Sequence, residues 1–377
     1  MKVLILSCDT GGGHISAAKA LTEVFEKKGD ECVTVNALRF LSALEETLIT
    51  RGHIFLYRNA PFVFAAGYRI SEIRTPRIIY AICAGAAQRL YEYIIEGQFE
   101  RVVCVHILPA LMMTHIRRVL GATLPVYFVA TDYTCSPGVD LTEMDRYFIP
   151  ENFSGDFCEK GVPRAKIRET GIPVAEKFSL YPNKDRARKI LGLNPEGKIV
   201  LLAGGSMGCG PMEKIARHTA KNLSGKDCLV VICGSNRKMF ERIRSLRLPS
   251  TLVIGYTKRI ELYMDAADLM LTKPGGLTIT EAMTKKLPMI CINAVGGLEL
   301  RNLTYLTQNK YALTENSPRA IAKLASDILS DPRTSEEIIK NMASCGAGGA
   351  ARKIVDVIKY EKRRIKRYYE PGGRIVG

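Results

Sequence analysis

Residues able to do chemistry in this chain gather where short apolar runs end. Val3-Leu4-Ile5-Leu6 leads into Asp9-Thr10-Gly11-Gly12-Gly13-His14, which opens an amphipathic stretch. Consecutive glycines let backbone approach a ligand closely, and a helix start offers unpaired N–H groups at the positive end of its dipole. The spacing is not G-x-G-x-x-G and no Walker lysine follows, so dinucleotide and ATP binding fit poorly. His14, at the lip of the loop, could as a neutral imidazole remove a proton from an attacking hydroxyl; the plainer alternative is a first-turn histidine that caps or packs. His106 follows Val102–Val105 and either touches an acceptor or serves the structure. Asp132, in Ala130-Thr131-Asp132-Tyr133 after Pro125–Val129, could orient a histidine, accept a proton, or cap the next turn.

The second half repeats the arrangement. Lys198–Ala203 leads into Gly204-Gly205-Ser206-Met207-Gly208-Cys209-Gly210-Pro211, a cradle suited to diphosphate oxygens. After Leu269–Leu271 comes Lys273-Pro274-Gly275-Gly276-Leu277-Thr278-Ile279-Thr280-Glu281-Ala282. Gly275, Gly276 and the helix start can donate to phosphate, and Glu281, one turn on, can accept from both ribose hydroxyls through its two oxygens. The alternative is an ordinary βα turn with a solvent-facing glutamate. Farther on, Glu299 and Asn302 share a helix face and could hydrogen-bond sugar hydroxyls. No carboxylate cluster with metal-ligand spacing accompanies them, which predicts metal-independent donor binding and no cofactor.

The elements that must position these groups read as two α/β series. Strands are predicted near Lys2–Ser7, Glu31–Asn36, Arg101–Val105, Pro125–Thr131 and Arg146–Ile149, with helices at His14–Lys28, Cys83–Glu96 and Pro109–Leu120. A second series has strands near Lys198–Ala203, Cys228–Cys233, Thr251–Ile254, Leu269–Leu271 and Met289–Ile292. Alternating strands and helices predict two doubly wound, Rossmann-like domains facing a cleft, with ligands at the carboxyl ends of the strands. Gly171-Ile172-Pro173 and Tyr181-Pro182-Asn183 break the periodicity, so the linker is placed near residues 172–182.

Composition narrows the classes. A chain of 377 residues with 47% hydrophobic content supports two cores. No apolar run reaches the ~18 residues of a spanning helix, and the amino terminus has no secretory signal pattern, so a cytoplasmic start is expected. The 11 cysteines include no C-x-x-C pair and read as reduced core residues. Residues 1–170 hold 19 basic and 19 acidic side chains, so the whole net charge of +16 lies beyond them. Residues 352–377 alone carry nine basic and three acidic side chains, interleaved with tyrosines. This suits an anionic membrane surface, with a solvated helix as the alternative and nucleic acid least favoured. The stretch Arg51–Arg69 mixes Phe and Tyr with aliphatic residues between arginines, as in a segment dipping into lipid headgroups, or as in an ordinary core.

In order and spacing these motifs resemble glycosyltransferase family 28, in particular the branch of monogalactosyldiacylglycerol synthases and bacterial diacylglycerol glucosyltransferases. The likeness rests on D-T-G-G-G-H at Asp9–His14, Val105-His106, Thr131-Asp132, G-G-S-M-G at Gly204–Gly208, P-G-G-L-T-I-T-E-A at Pro274–Ala282 and G-x-E-x-x-N at Gly297–Asn302. It implies a GT-B fold and inverting transfer of a hexose from UDP-glucose or UDP-galactose to diacylglycerol at the cytoplasmic face of a membrane. His14 would be the base, with Asp132 as a second candidate or its orienter, and Gly12, Gly13 and His106 on the acceptor side. Gly204, Gly205, Ser206, Met207, Gly275, Gly276, Leu277 and Thr278 would hold the donor, with Glu281 on ribose, Gly255 and Tyr256 at uracil, and Glu299 and Asn302 at the hexose. The expected division is an acceptor domain at 1–175, a donor domain at 176–350, and a basic helix or tail at 351–377 packing back on the first domain. Leu298 stands where the family commonly has glutamine, and Ser206 where many relatives have glycine or an acidic residue, which leaves the hexose open. The alternatives are a cell-wall lipid-linked UDP-GlcNAc transferase, a UDP-sugar 2-epimerase and a noncatalytic UDP-sugar sensor.

Overall fold

The protein is described by a computed structural model covering all residues except Thr10, most of 44–76, 180–182, Asn293, Val295, Ser344, 346–347 and most of 362–377. The aromatic stretch 51–69 and most of the basic carboxyl-terminal run therefore lie outside the described residues. The chain divides into two compact units: Met1–Ala175 with Gly296–Leu298 and Gly349–Gly377, and Glu176–Val295 with Glu299–Gly348. The first division, after Ala175, falls within the stretch read as the linker.

The first unit is built on a six-stranded sheet in the order β2-β1-β3-β4-β5-β6. Its strands are β1 (Lys2–Ser7), β2 (Glu31–Asn36), β3 (Arg101–Cys104), β4 (Val126–Val129), β5 (Arg146–Ile149) and β6 (Ile167–Glu169), all paired in parallel. Parallel strands covered on both faces should be almost continuously buried, and β1, β3 and β4 are, whereas in the edge strand β2 only Val35 is buried. Side chains of β1 divide by period two. Leu4 and Leu6 join the core beneath α2 (Arg77–Glu96) and α3 (Ile107–Val119), while Val3 and Ile5 pack with Ala18, Leu21 and Phe25 of α1 (Gly12–Lys27). Each buried Leu, Ile or Phe contributes about 1.5–3 kcal/mol of transfer free energy.

The same α1 face is shared by a helix from the far end of the chain, Ala350–Tyr360, through Ala351, Ile354, Val355 and Ile358. Ion pairs fix it there: Lys359 Nζ lies 2.7 Å from Asp30, Lys28 meets Asp356, and Arg146 stands 2.6 Å from Glu361. Asp30 also holds the amino terminus of Met1 at 3.0 Å. Beyond this helix, Tyr368–Tyr369 and Ile375–Val376 form a two-stranded antiparallel ladder.

The second unit has a six-stranded parallel sheet in the order β12-β11-β10-β7-β8-β9. The strands are β7 (Ile199–Ala203), β8 (Cys228–Ile232), β9 (Thr251–Ile254), β10 (Leu269–Thr272), β11 (Met289–Cys291) and β12 (Ala312–Thr314). Renumbered within the unit, this is the 3-2-1-4-5-6 order of the dinucleotide-binding fold, with its switch point between β7 and β10. The first unit follows the 2-1-3-4-5 pattern, with its switch point between β1 and β3. Both fold-class expectations hold: these are Rossmann-like units. Of the strands in the two six-stranded sheets, the edge strands β6 and β12, three residues each, are the ones that the periodicity did not reveal.

Candidate active site

In the first unit the register decides which loops meet. Leu6 pairs with Cys104, and the Val105 amide donates to the Leu6 carbonyl at 3.0 Å, so the chain leaves β1 and β3 side by side. The glycine loop therefore opens beside Val105-His106. The helix begins at Gly12, so Gly12 and Gly13 occupy its first turn, where N–H groups lack intrahelical partners.

His14 Nδ1 lies 2.9 Å from the carbonyl oxygen of Val105 and 3.2 Å from Thr131 Oγ1. A carbonyl can only accept, so the bond to Val105 places the proton on Nδ1 and leaves the lone pair on Nε2. Burial lowers the His14 pKa, while the negative charge of Asp132 and the bond to Val105 push it up. The balance favours the neutral, basic form at physiological pH. Asp132 acts at one remove: its Oδ2 accepts from Thr131 Oγ1 at 3.5 Å, and the direct anchor of the imidazole is the Val105 carbonyl.

His106 is the N-cap of α3, its Nδ1 accepting from the Leu108 amide at 3.1 Å. An accepting Nδ1 requires the proton on Nε2. The His106 ring meets that of His14 edge to face, with centroids 4.5 Å apart at 84°. It therefore serves the structure through its cap and also walls the His14 ring. The motif alone gave no sign of the Val105 carbonyl or the Thr131 hydroxyl as partners of His14, because only the β1–β3–β4 adjacency brings them there.

In the second unit Ala203 pairs with Thr272, and Thr272 Oγ1 donates to the Ala203 carbonyl at 3.0 Å, so the glycine loop and the Lys273–Gly276 loop leave adjacent strands at the switch point. The glycine loop is a tight turn. Gly208 and Cys209 amides donate to the carbonyls of Gly205 and Gly204, both at 3.0 Å, and Ser235 and Asn236 tie the turn to the end of β8. Gly208 has φ +55 and a Cβ there would strike the Cys233 carbonyl, so glycine is required by packing alone. Gly205, Ser206 and Met207 form the more accessible part of the turn, with Ser206 exposed, whereas Gly204 is buried and a Cβ there would strike Met212 and the Cys209 backbone.

The helix Gly276–Thr284 starts at this same edge. The Gly275 amide donates to the Lys273 carbonyl at 2.9 Å, and the amides without intrahelical partners in the first turn are those of Gly276, Leu277 and Thr278. Glu281, in the next turn, is only 8% exposed, and among the described residues its carboxylate has no hydrogen-bonding partner. Burial is the main cause raising its pKa to about 8, with Lys177 opposing and Glu261 adding to the rise. A buried carboxylate without donors is costly unless a ligand supplies hydroxyls.

The helix Leu298–Gln308 contributes Glu299 and Asn302. Asn302 is fully buried and its amide donates to the Pro274 carbonyl at 2.9 Å, so it shapes the Pro274-Gly275 loop. Glu299 Oε1 sits 3.0 Å from Lys273 Nζ. Tyr256, just past β9, is 64% exposed, and Gly255 beside it has no neighbour within 4 Å of a Cβ position, so the chain is uncovered at this end of the sheet. Among the described residues, no group of three or more His, Cys, Asp or Glu is arranged to hold a metal ion, and no helix is long and apolar enough to cross a membrane.

Residues 14–174 match the family model described as monogalactosyldiacylglycerol (MGDG) synthase, and residues 212–344 match that of glycosyl transferases group 1. The processive diacylglycerol beta-glucosyltransferase of Bacillus licheniformis is 27% identical over 95% of this chain and 94% of its own length. The protein of that description from Bacillus subtilis is 27% identical over 97% of this chain and 96% of its own length. Among solved structures, MurG of Acinetobacter baumannii matches with a TM-score of 0.59 at 15% identity, over 95% of this chain and 99% of that one. The calicheamicin glycosyltransferase CalG4 matches at 0.61 and 12% identity, over 95% of this chain and 97% of that one. The fold is GT-B, as the motifs implied.

Proposed function

Because this chain is related along nearly its whole length to diacylglycerol glucosyltransferases, we propose that it is an inverting glycosyltransferase moving a hexose from a UDP-sugar to diacylglycerol. The observation that carries the chemical step is the hydrogen bond from His14 Nδ1 to Val105, which leaves Nε2 unprotonated. As the acceptor oxygen attacks the anomeric carbon, its proton passes to Nε2. The bond from that carbon to the β-phosphate oxygen breaks, and the electron pair leaves with UDP. A positioned base of this kind contributes about 10²–10⁴-fold.

On the donor side, the Gly204–Met207 turn and the first-turn amides of Gly276, Leu277 and Thr278 receive the diphosphate, a role helix starts suit. Glu281 accepts from the ribose hydroxyls, which explains a buried carboxylate lacking partners. Gly255 and Tyr256 lie by the uracil, and Glu299 by the hexose. Donor binding needs no metal in this reading. Gly12, Gly13 and His106 line the acceptor side.

The acceptor reading places the protein peripherally on the cytoplasmic face of the membrane, held by an anionic surface. Its support is the concentration of the +16 net charge beyond residue 170, and the basic run at the carboxyl end. The test is competition between acceptors: diacylglycerol vesicles against a lipid-linked muramyl acceptor, with one UDP-hexose. Label in the diacylglycerol fraction alone supports the reading; label on the muramyl lipid, or an isomerised UDP-sugar released without acceptor, contradicts it.

A further inference from the structure

A lysine ammonium is held at the junction of the loops that this reading assigns to the donor. Lys273 is the first residue beyond β10, and Ala203, the last of β7, pairs with Thr272 directly before it. The side chain runs under the glycine turn: a Cβ placed on Gly205, whose φ is +73, would lie 3.2 Å from Lys273 Cε and 3.8 Å from Nζ. Its ammonium pairs with Glu299 at 3.0 Å, with side chains 10% and 15% exposed. Next to it, the Pro274 carbonyl is fixed by Asn302, and the Lys273 carbonyl by the Gly275 amide.

Resting on the donor-site reading, we infer that Lys273 is the cation that receives the donor diphosphate, exchanging its contact with Glu299 for phosphate oxygens when the nucleotide sugar binds. An ammonium only donates, so the contact it gives up to the Glu299 carboxylate can be made instead to phosphate oxygens. A pair secluded from water is held less strongly than its Coulomb attraction alone implies, because both ions have lost hydration. A diphosphate arriving where the glycine turn meets the Lys273 side chain offers more charge than a carboxylate, and charge-assisted bonds to phosphate are among the strong ones. As the bond from the anomeric carbon breaks, negative charge grows on the β-phosphate oxygen, and a cation fixed beneath it stabilises that change. The exchange also frees Glu299 to accept from the hexose hydroxyls, so one displacement would ready both ends of the donor.

The rival is a lysine that only staples the two loops. Titration calorimetry of Lys273→Met with uridine and with UDP separates the two. The inference expects UDP affinity to fall about 10- to 100-fold while uridine affinity stays within about twofold, and Lys273→Arg to restore much of the UDP affinity. Equal loss for both ligands, or no loss for either, overturns it. Glu299→Gln gives a second arm that keeps the side-chain volume: UDP affinity is retained or raised while hexose transfer falls. A loss of UDP affinity in this variant as large as in Lys273→Met means the pair is a staple. Should Lys273→Met fail to fold, the arginine and glutamine variants decide alone. Wild-type protein that binds neither uridine nor UDP, or that binds the two equally, overturns the donor-site reading itself, whereas a wild-type preference for UDP that Lys273→Met leaves intact overturns only the role of Lys273.

Discussion

His14 Nδ1 stands 2.9 Å from the carbonyl oxygen of Val105, and because a carbonyl cannot donate, this one contact fixes the tautomer that leaves Nε2 basic. The bond spans 91 positions in sequence and is made by strand pairing, since Val105 continues β3 directly alongside β1.

Replacing His14 by alanine removes the proposed base and leaves the residues proposed to hold the donor unchanged. The kcat of hexose transfer is expected to fall by about 10²–10⁴-fold with UDP affinity unchanged within about twofold. Turnover assays and calorimetry on one preparation check this, and undiminished turnover removes His14 from the mechanism.

The pH profile carries a second expectation. His14 must be neutral to act, and burial holds its pKa below the ordinary 6.5, so kcat/KM should climb through an acid limb lying below that value and be flat at neutral pH. Asp132 raises the His14 pKa by its negative charge. Asp132→Asn should therefore move the limb to lower pH while lowering the plateau, since a less basic imidazole accepts a proton less readily. A limb moved upward would contradict the assigned electrostatics.

Glu281 predicts a pH dependence of donor affinity with the opposite range. Its pKa is raised to about 8, so at pH 6.5 the free protein carries the neutral acid. Ribose hydroxyls donate best to the carboxylate, so binding expels a proton. UDP-hexose affinity should rise toward pH 8, by up to about tenfold per pH unit, and then level off. In Glu281→Gln the affinity should be weaker and this slope lost; calorimetry across the range measures both.

Gly208 offers a test of the glycine turn as structure. Alanine there needs both a left-handed backbone and space already taken by the Cys233 carbonyl. Destabilisation of about 1–3 kcal/mol or more is expected, read as a lowered thermal midpoint. Gly275→Ala should by contrast leave the midpoint nearly unchanged, because no atom lies within 4 Å of its Cβ position and its φ is −76.

Much of this was legible in the sequence because central parallel strands announce themselves. Ile199–Ala203 and Leu269–Thr272 are continuous apolar runs that end in polar or glycine residues, and a strand end is where such a fold binds ligands. Ile167–Glu169 and Ala312–Thr314 escaped notice because three-residue edge strands need little apolar content. Side-chain partners were less legible. Whether His106 caps a helix or meets a ligand depends on a bond two residues along the chain, and the motif containing Asn302 gives no sign of its bond to Pro274. Lys273 stood in the most informative motif without a role, since its partner Glu299 lies 26 positions away and meets it only through adjacent strand ends.

The most direct measurement is transfer itself. Purified protein is incubated with vesicles containing diacylglycerol and either UDP-glucose or UDP-galactose labelled in the sugar, beside the His14→Ala variant, and the lipids are separated. Labelled hexosyl-diacylglycerol from the wild type with one of the donors, and almost none from the variant, is the predicted result. A wild-type protein that binds UDP yet labels no diacylglycerol from either donor, or a variant as active as the wild type, would contradict the account.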